Sequence, residues 1–209
     1  MTTTYDAPAG PGGDGDMDDL LVSLHGRDTI ECVSTYQRLG WPVALGYRHR
    51  PGAGCTCLDI PAAPPCTTPG AHPTGDATPL KGRAAARAFA AAPGAGVIVC
   101  CTGFDAVILA HAIGMSAMLR LDGAGLHVPC LTAAHDTATL LVQEGTGALL
   151  AEHPGVQVRA GREAWVAMPP SYGVRWDTAP LLAPLLPAAA VRPHIEQVLK
   201  LASPARVQG

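Results

Sequence analysis

The sequence predicts a single α+β or α/β domain. Short runs of β-branched and apolar residues alternate with stretches that carry helical periodicity. Hydrophobic residues make up 48% of the 209 positions, enough to build a core. No apolar run reaches the roughly 18 residues of a membrane span, and the mean hydropathy is only +0.20. The length fits one domain, or one with a small appendage.

The elements follow from local signals. Asp28 reads as the N-cap of a first helix, Ile30, Cys32, Val33 and Tyr36 as its apolar stripe, and Gly40 as its end. Trp41 to Tyr47 reads as a strand. Residues 48–76 are rich in Pro and Gly and read as a loop. Arg83 to Ala91 is Ala-rich and helical, closed by Pro93 and Gly94. Val97 to Cys101 and Phe104 to Leu109 read as two strands separated by a turn at Thr102-Gly103. His111 to Leu121 has the pattern of an amphipathic helix ending at Asp122-Gly123, with Met115 and Met118 in its core face. Val128–Leu131, Thr137–Val142, Val156–Arg159, Ala164–Met168 and Val174–Trp176 are strand candidates. Residues 190–201 form a last helix. Trp165 and Trp176 are expected in the core, and at least one of Cys100 and Cys101, in an apolar strand, as a buried thiol.

The loop carries the sharpest chemistry. Cys55, Cys57, Cys66 and His72 follow C-x-C-x8-C-x5-H, three thiolates and an imidazole within 18 residues. That set matches a four-coordinate tetrahedral zinc site, and four protein ligands leave no open position for a catalytic water. The intervening Pro, Gly and Thr residues cannot build a core of their own, so a structural zinc ion is expected to hold the loop as a knuckle. Disulfides are not expected, because the N-terminal stretch lacks an apolar signal-peptide core, and a cytoplasmic setting is inferred.

The net charge is −3, unevenly distributed. Asp6, Asp14, Asp16, Asp18 and Asp19 fall in the first 19 residues, which hold no Lys or Arg. Residues 1–18 therefore read as a disordered acidic arm, and 19–209 as the domain. Without those five Asp the 17 acidic residues fall to 12 against 14 basic ones, near neutrality. Aromatics are 4% of the chain. Neither number marks a strongly basic nucleic-acid binder or a base-stacking platform. Lys81, Arg83 and Arg87 on one helix flank, and Arg48 and Arg50 beside the loop, are candidate phosphate contacts, although a plain solvated surface fits them better.

Several segments, in order, resemble the bacterial bifunctional DNA primase/polymerase N-terminal family (prim-pol, archaeo-eukaryotic primase-like). They are TYQRLGWPVALGYR, the cysteine segment ending in Pro69-Gly70-Ala71-His72-Pro73, Gly96-Val97-Ile98-Val99 before Thr102-Gly103-Phe104-Asp105, and Val166-Ala167-Met168-Pro169-Pro170-Ser171 before Trp176. The resemblance covers about residues 30–180. It implies an α+β fold with a mixed sheet flanked by helices and a zinc-knuckle insertion. It also implies work in replication or regulation.

Nucleotidyl transfer in such a family uses carboxylates holding two divalent metals roughly 3.5–4 Å apart. The resemblance implies a D-x-D pair on one strand, a His on a second and an Asp on a third. Here the pair falls near Ile108 and Ala110. No His stands just before the apolar run that starts at Leu140. The third position is Gln157, a poor Mg²⁺ ligand. Asp105 lies three residues early, which turns its side chain to the other strand face. The implied reading is a catalytically silent relative that binds a nucleic acid or a protein partner. Arg159, beside the missing Asp, would face nucleotide phosphates in the family. Two alternatives stay open: an active polymerase with a rearranged site of Asp105, Asp136 and His135, and a protein-interaction scaffold using the acidic arm and the last helix.

Overall fold

A computed structural model of the chain describes residues 24, 28–61, 63–75, 77–133 and 136–202. The acidic arm expected over residues 1–18 and the candidate ligand His135 lie outside the described residues.

The fold is α+β. Helix α1 (Thr29–Arg38) starts where expected: the Asp28 carboxylate accepts from the Ile30 N–H at 2.8 Å and satisfies an orphan amide of the first turn. Strands β1 (Val43–Gly46), β2 (His49–Arg50) and β3 (Gly54–Cys55) follow, then helix α2 (Gly82–Ala91). The long strand β4 (Gly96–Ala110) leads directly into helix α3 (His111–Gly123). Strands β5 (Cys130–Ala133), β6 (Thr137–Gln143), β7 (Gln157–Met168) and β8 (Val174–Thr178) complete the sheet, and helix α4 (Ala188–Ala202) closes the described chain. The Ala188 N–H at the start of α4 donates to Thr146 Oγ1 at 2.9 Å.

The main sheet runs β1-β4-β6-β5-β8, with β7 on the other side of β4. Every pairing in it is antiparallel, which corrects the expected mixed sheet. The first half of β4 lies between β1 and β7, and its second half between β6 and β7.

Two strand pairs read as separate from the sequence are each one continuous strand. Thr102-Gly103 does not end β4. It is an irregularity, with Gly103 at φ 99° and a register shift against β7 between Cys101 and Ala106. Strand β7, Gln157–Met168, likewise runs through Gly161 (φ 81°) without breaking. In both places a glycine that reads as a turn is absorbed by pairing on the neighbouring strand.

The irregularity in β4 switches the inward parity. Val97, Val99 and Cys101 point into one core, and so do Phe104 and Ala106. That core lies under α1 and α2 and joins Tyr36, Trp41, Phe89 and Trp176. Trp41 meets Phe104 edge-on, with centroids 4.9 Å apart. Val107 and Leu109 point to a second core beneath α3 and α4. Helix α3 approaches β6 closely at Gly114, where an added Cβ would stand 2.3 Å from Ala138 Cβ. The fully buried Tyr36 ties α1 to the far end of the sheet: its hydroxyl donates to the Pro169 carbonyl at 2.7 Å and accepts from Trp176 Nε1 at 3.2 Å. Cys100, Cys101, Trp176 and Met118 are buried as expected, and Met115 packs at the edge of the second core. Trp165 is not a core residue but half-buried, for a reason given below. Among the described residues no helix is long and apolar enough to cross a membrane.

Candidate metal centre and adjoining cleft

The cysteine loop has little regular structure, and each ligand is delivered by a different local device. The two-residue strands β2 and β3 form a hairpin around the three-residue loop Pro51–Ala53, with His49 opposite Cys55. Gly52 and Gly54 take the positive φ values (74° and 80°) that this tight reversal requires. A 3₁₀ turn over Thr56–Asp59 then carries Cys57. Cys66 returns after the Pro-rich stretch. A turn closed by Ala71 N–H to Thr68 O at 3.0 Å presents His72.

The ligand atoms of Cys55, Cys57, Cys66 and His72 all lie within 4.8 Å of one another, close enough to bind a metal ion. His72 Nε2 is 3.4 Å from Cys55 Sγ and 3.3 Å from Cys66 Sγ. Tetrahedral coordination with bonds of ~2.3 Å to sulfur and ~2.0–2.1 Å to nitrogen puts N and S about 3.6 Å apart. The Gly70 N–H donates to Cys55 Sγ at 3.4 Å, the kind of backbone support that metal thiolates use.

Electrostatics separate the thiols. Burial pushes Cys55 up, but hydrogen bonds from the Cys57 and Gly70 backbone, then from the Cys57 and Cys66 side chains, outweigh it and hold the thiol below its ordinary value. Cys57 is pushed up to about 12 by burial and by its two thiol neighbours. Burial lowers His72, offset in part by a hydrogen bond to the Pro73 backbone. A neutral imidazole is the form a metal needs.

The knuckle is docked on the sheet through backbone. Tyr47 N–H donates to the His72 carbonyl at 3.0 Å and Thr74 N–H to the Leu45 carbonyl at 2.9 Å, so the chain after His72 runs along the outer edge of β1. The Tyr47 and His72 rings lie 4.8 Å apart. The rings of His49 and Tyr172 stack at 3.5 Å.

Thr68 and Ala71 of the knuckle also form one wall of a cleft on the first-core face of the sheet. Ile108 lies at the centre of its floor, paired to Thr139 of β6 on one side and Gln157 of β7 on the other. Ile108, Thr139 and Gln157 thus form one cross-strand row that holds no carboxylate, and Ala110 follows two positions on, paired to Thr137. Among the described residues lining the cleft, Arg159 is the one charged side chain. Its guanidinium carbon stands 4.9 Å over the Trp165 ring, and its Nη1 donates to the Trp165 carbonyl at 2.9 Å. This contact explains why Trp165 stays out of the core: it supports Arg159 and separates the cleft from a groove of about 550 Å³ beside Cys66 and His72.

Of the rearranged catalytic site, the two described members, Asp105 and Asp136, do not converge. Asp105 is buried on the opposite face, its Oδ2 accepting from the Gly147 N–H at 2.7 Å and its Oδ1 without a partner. Asp136 is exposed next to the Ala110 end of β4, where Ala110 pairs with Thr137. Ala110 lies five strand positions beyond Asp105, roughly 17 Å.

The other basic candidates are scattered. Lys81, Arg83 and Arg87 are exposed on α2, whose Ala85 and Phe89 face the core. Arg48 is exposed and packs over Gly94. Arg50 is bound to Asp59 at 2.6 Å, an exposed pair of small energetic value. They form no common footprint with Arg159. Sequence reasoning missed Gly46, Gly70 and Gly96, whose lack of side chains lets the knuckle dock. It also missed Tyr47 and the support of Arg159 by Trp165.

Comparison with protein-family models, with characterised proteins and with solved structures finds no match for this chain.

Proposed function

We propose that this protein is a catalytically silent, zinc-stabilised module similar to the prim-pol fold that acts by binding. The observation that carries this reading is the row Ile108–Thr139–Gln157. The positions where such a polymerase would gather its metal ligands are adjacent on the sheet and hold no carboxylate. Zinc is the metal of choice for a Cys₃His set, which is soft, four-coordinate and closed to water. Its role is then structural.

The knuckle face favours a protein over a nucleic acid as the macromolecular partner. Leu58 and Ile60 are about half exposed there, and Pro61, Pro64 and Pro65 line the neighbouring groove. The cations nearby are too few and too dispersed to track a phosphate backbone.

Purified protein should carry one zinc per chain by elemental analysis, and Cys55→Ser or Cys66→Ser should abolish it. Primer extension with Mg²⁺ or Mn²⁺ should give no product. Nucleotide incorporation that Asp105→Ala abolishes would replace this reading with an active polymerase. A shift of single- or double-stranded DNA or RNA at low salt would reverse the preference for a protein partner.

A further inference from the structure

The cleft on the sheet has a composition suited to a ligand of its own. Its floor is apolar, formed by Ile108, Leu131 and Val174. Thr139 and Gln157 add neutral polar groups. Arg159 is held over Trp165 by stacking and by one hydrogen bond through Nη1, so the guanidinium is fixed before any ligand arrives. Among the described residues its remaining N–H groups have no protein partner, and no carboxylate lines the cleft to neutralise it.

Size and charge narrow the occupant. The cavity measures about 190 Å³, below the roughly 300–1,000 Å³ of sites for drug-sized ligands. One fixed cation neutralises one negative charge. A nucleoside triphosphate is too large and too highly charged for it without metal ions.

We propose that this cleft binds a small amphipathic monoanion, with a carboxylate paired to Arg159 and an aliphatic body on Ile108, Leu131 and Val174. A planar carboxylate matches the fork of N–H donors that arginine presents. The apolar floor gains from every methylene removed from water. This site goes beyond the binding reading above: its floor and Arg159 belong to the sheet, and the knuckle contributes one wall through Thr68 and Ala71.

The test uses octanoate as probe and the full chain loaded with zinc. Calorimetric titration should show saturable binding of one octanoate per chain, accompanied by a change in tryptophan fluorescence from Trp165 beside the site. Octanol and octylamine should bind at least tenfold more weakly. Arg159→Gln should weaken octanoate by roughly tenfold or more, the effect of losing a charged hydrogen bond, while Arg159→Lys keeps part of the affinity. Ile108→Asp, which sets a like charge on the floor, should abolish binding; it decides the matter if Arg159→Gln does not fold by circular dichroism. Absence of octanoate binding, equal binding of octanol, or an unchanged affinity in the folded Arg159→Gln or Ile108→Asp variant would each overturn the proposal. So would displacement of octanoate by a nucleoside triphosphate of equal or greater affinity. Absence of zinc from the purified protein, with octanoate binding intact, would count against the knuckle reading alone.

Discussion

Gly46 and Gly96 are cross-strand partners in β1 and β4, and the knuckle backbone lies directly on them. A Cβ at Gly96 would stand 2.4 Å from the Gly70 carbonyl oxygen, and one at Gly46 would stand 3.0 Å from the His72 carbonyl oxygen. Neither glycine needs an unusual φ; what both supply is room. Gly96→Ala should therefore push the knuckle off the sheet at a cost of about 1–3 kcal/mol and weaken zinc retention. Gly123→Ala, where an added Cβ meets nothing within 4 Å, is the control and should leave both unchanged. Thermal melts and zinc content of the two variants check this.

Zinc removal should destabilise the knuckle and leave the body folded. Both hydrophobic cores lie on the sheet and draw on α1 to α4, and neither includes a residue between Cys55 and His72. Chelation, or Cys57→Ser, should lower the melting temperature by several degrees while far-ultraviolet circular dichroism keeps most of its amplitude. Zinc content should also fall as pH falls, because thiolates and a neutral imidazole are the binding forms. Complete unfolding of the zinc-free protein would contradict this division.

How much of this was legible in the sequence depends on range. The knuckle was, because its four ligands are close in the chain and separated by residues that cannot pack. The Asp28 cap and the helices were, because their signals are local. The continuity of β4 through Gly103 and of β7 through Gly161 was not, since pairing across the sheet overrides a local turn signal. The same holds for the mixed sheet that the resemblance implied. The room made by Gly46 and Gly96 depends on segments more than twenty residues away, and no local pattern records it.

Tyr36→Phe should destabilise the fold by about 1–3 kcal/mol. The hydroxyl is the shared partner of the Pro169 carbonyl and Trp176 Nε1, both of which would be left buried and unpaired. Chemical denaturation at neutral pH measures the loss. Trp176→Phe in the same background should recover part of it, since it removes one stranded donor.

Stability should decline in alkali. Burial pushes Cys101 and Cys130 up from the ordinary 9.0 to about 12. The folded protein holds these protons while the unfolded chain releases them, so the contribution is complete below pH 9 and is lost as pH rises toward 12. Between pH 9 and 10.5 the loss should be about 1.5 kcal/mol per thiol. Cys130→Val, which cannot titrate, should flatten the decline relative to wild type. Equal slopes in denaturant titrations of the two proteins would contradict it.

The irregular stretch between Cys101 and Ala106 has a consequence for chemistry as well as for pairing. It sets the phase of the second half of β4, and that phase decides which face two residues three positions apart present: Ile108 is turned to the open cleft, while Asp105 is shut away against Gly147. Because strand side chains alternate, a slip of one position would turn Asp105 onto the face that carries the cleft and Ile108 away from it. The character of this surface is thus governed less by which residues the strand contains than by where along it the count is interrupted.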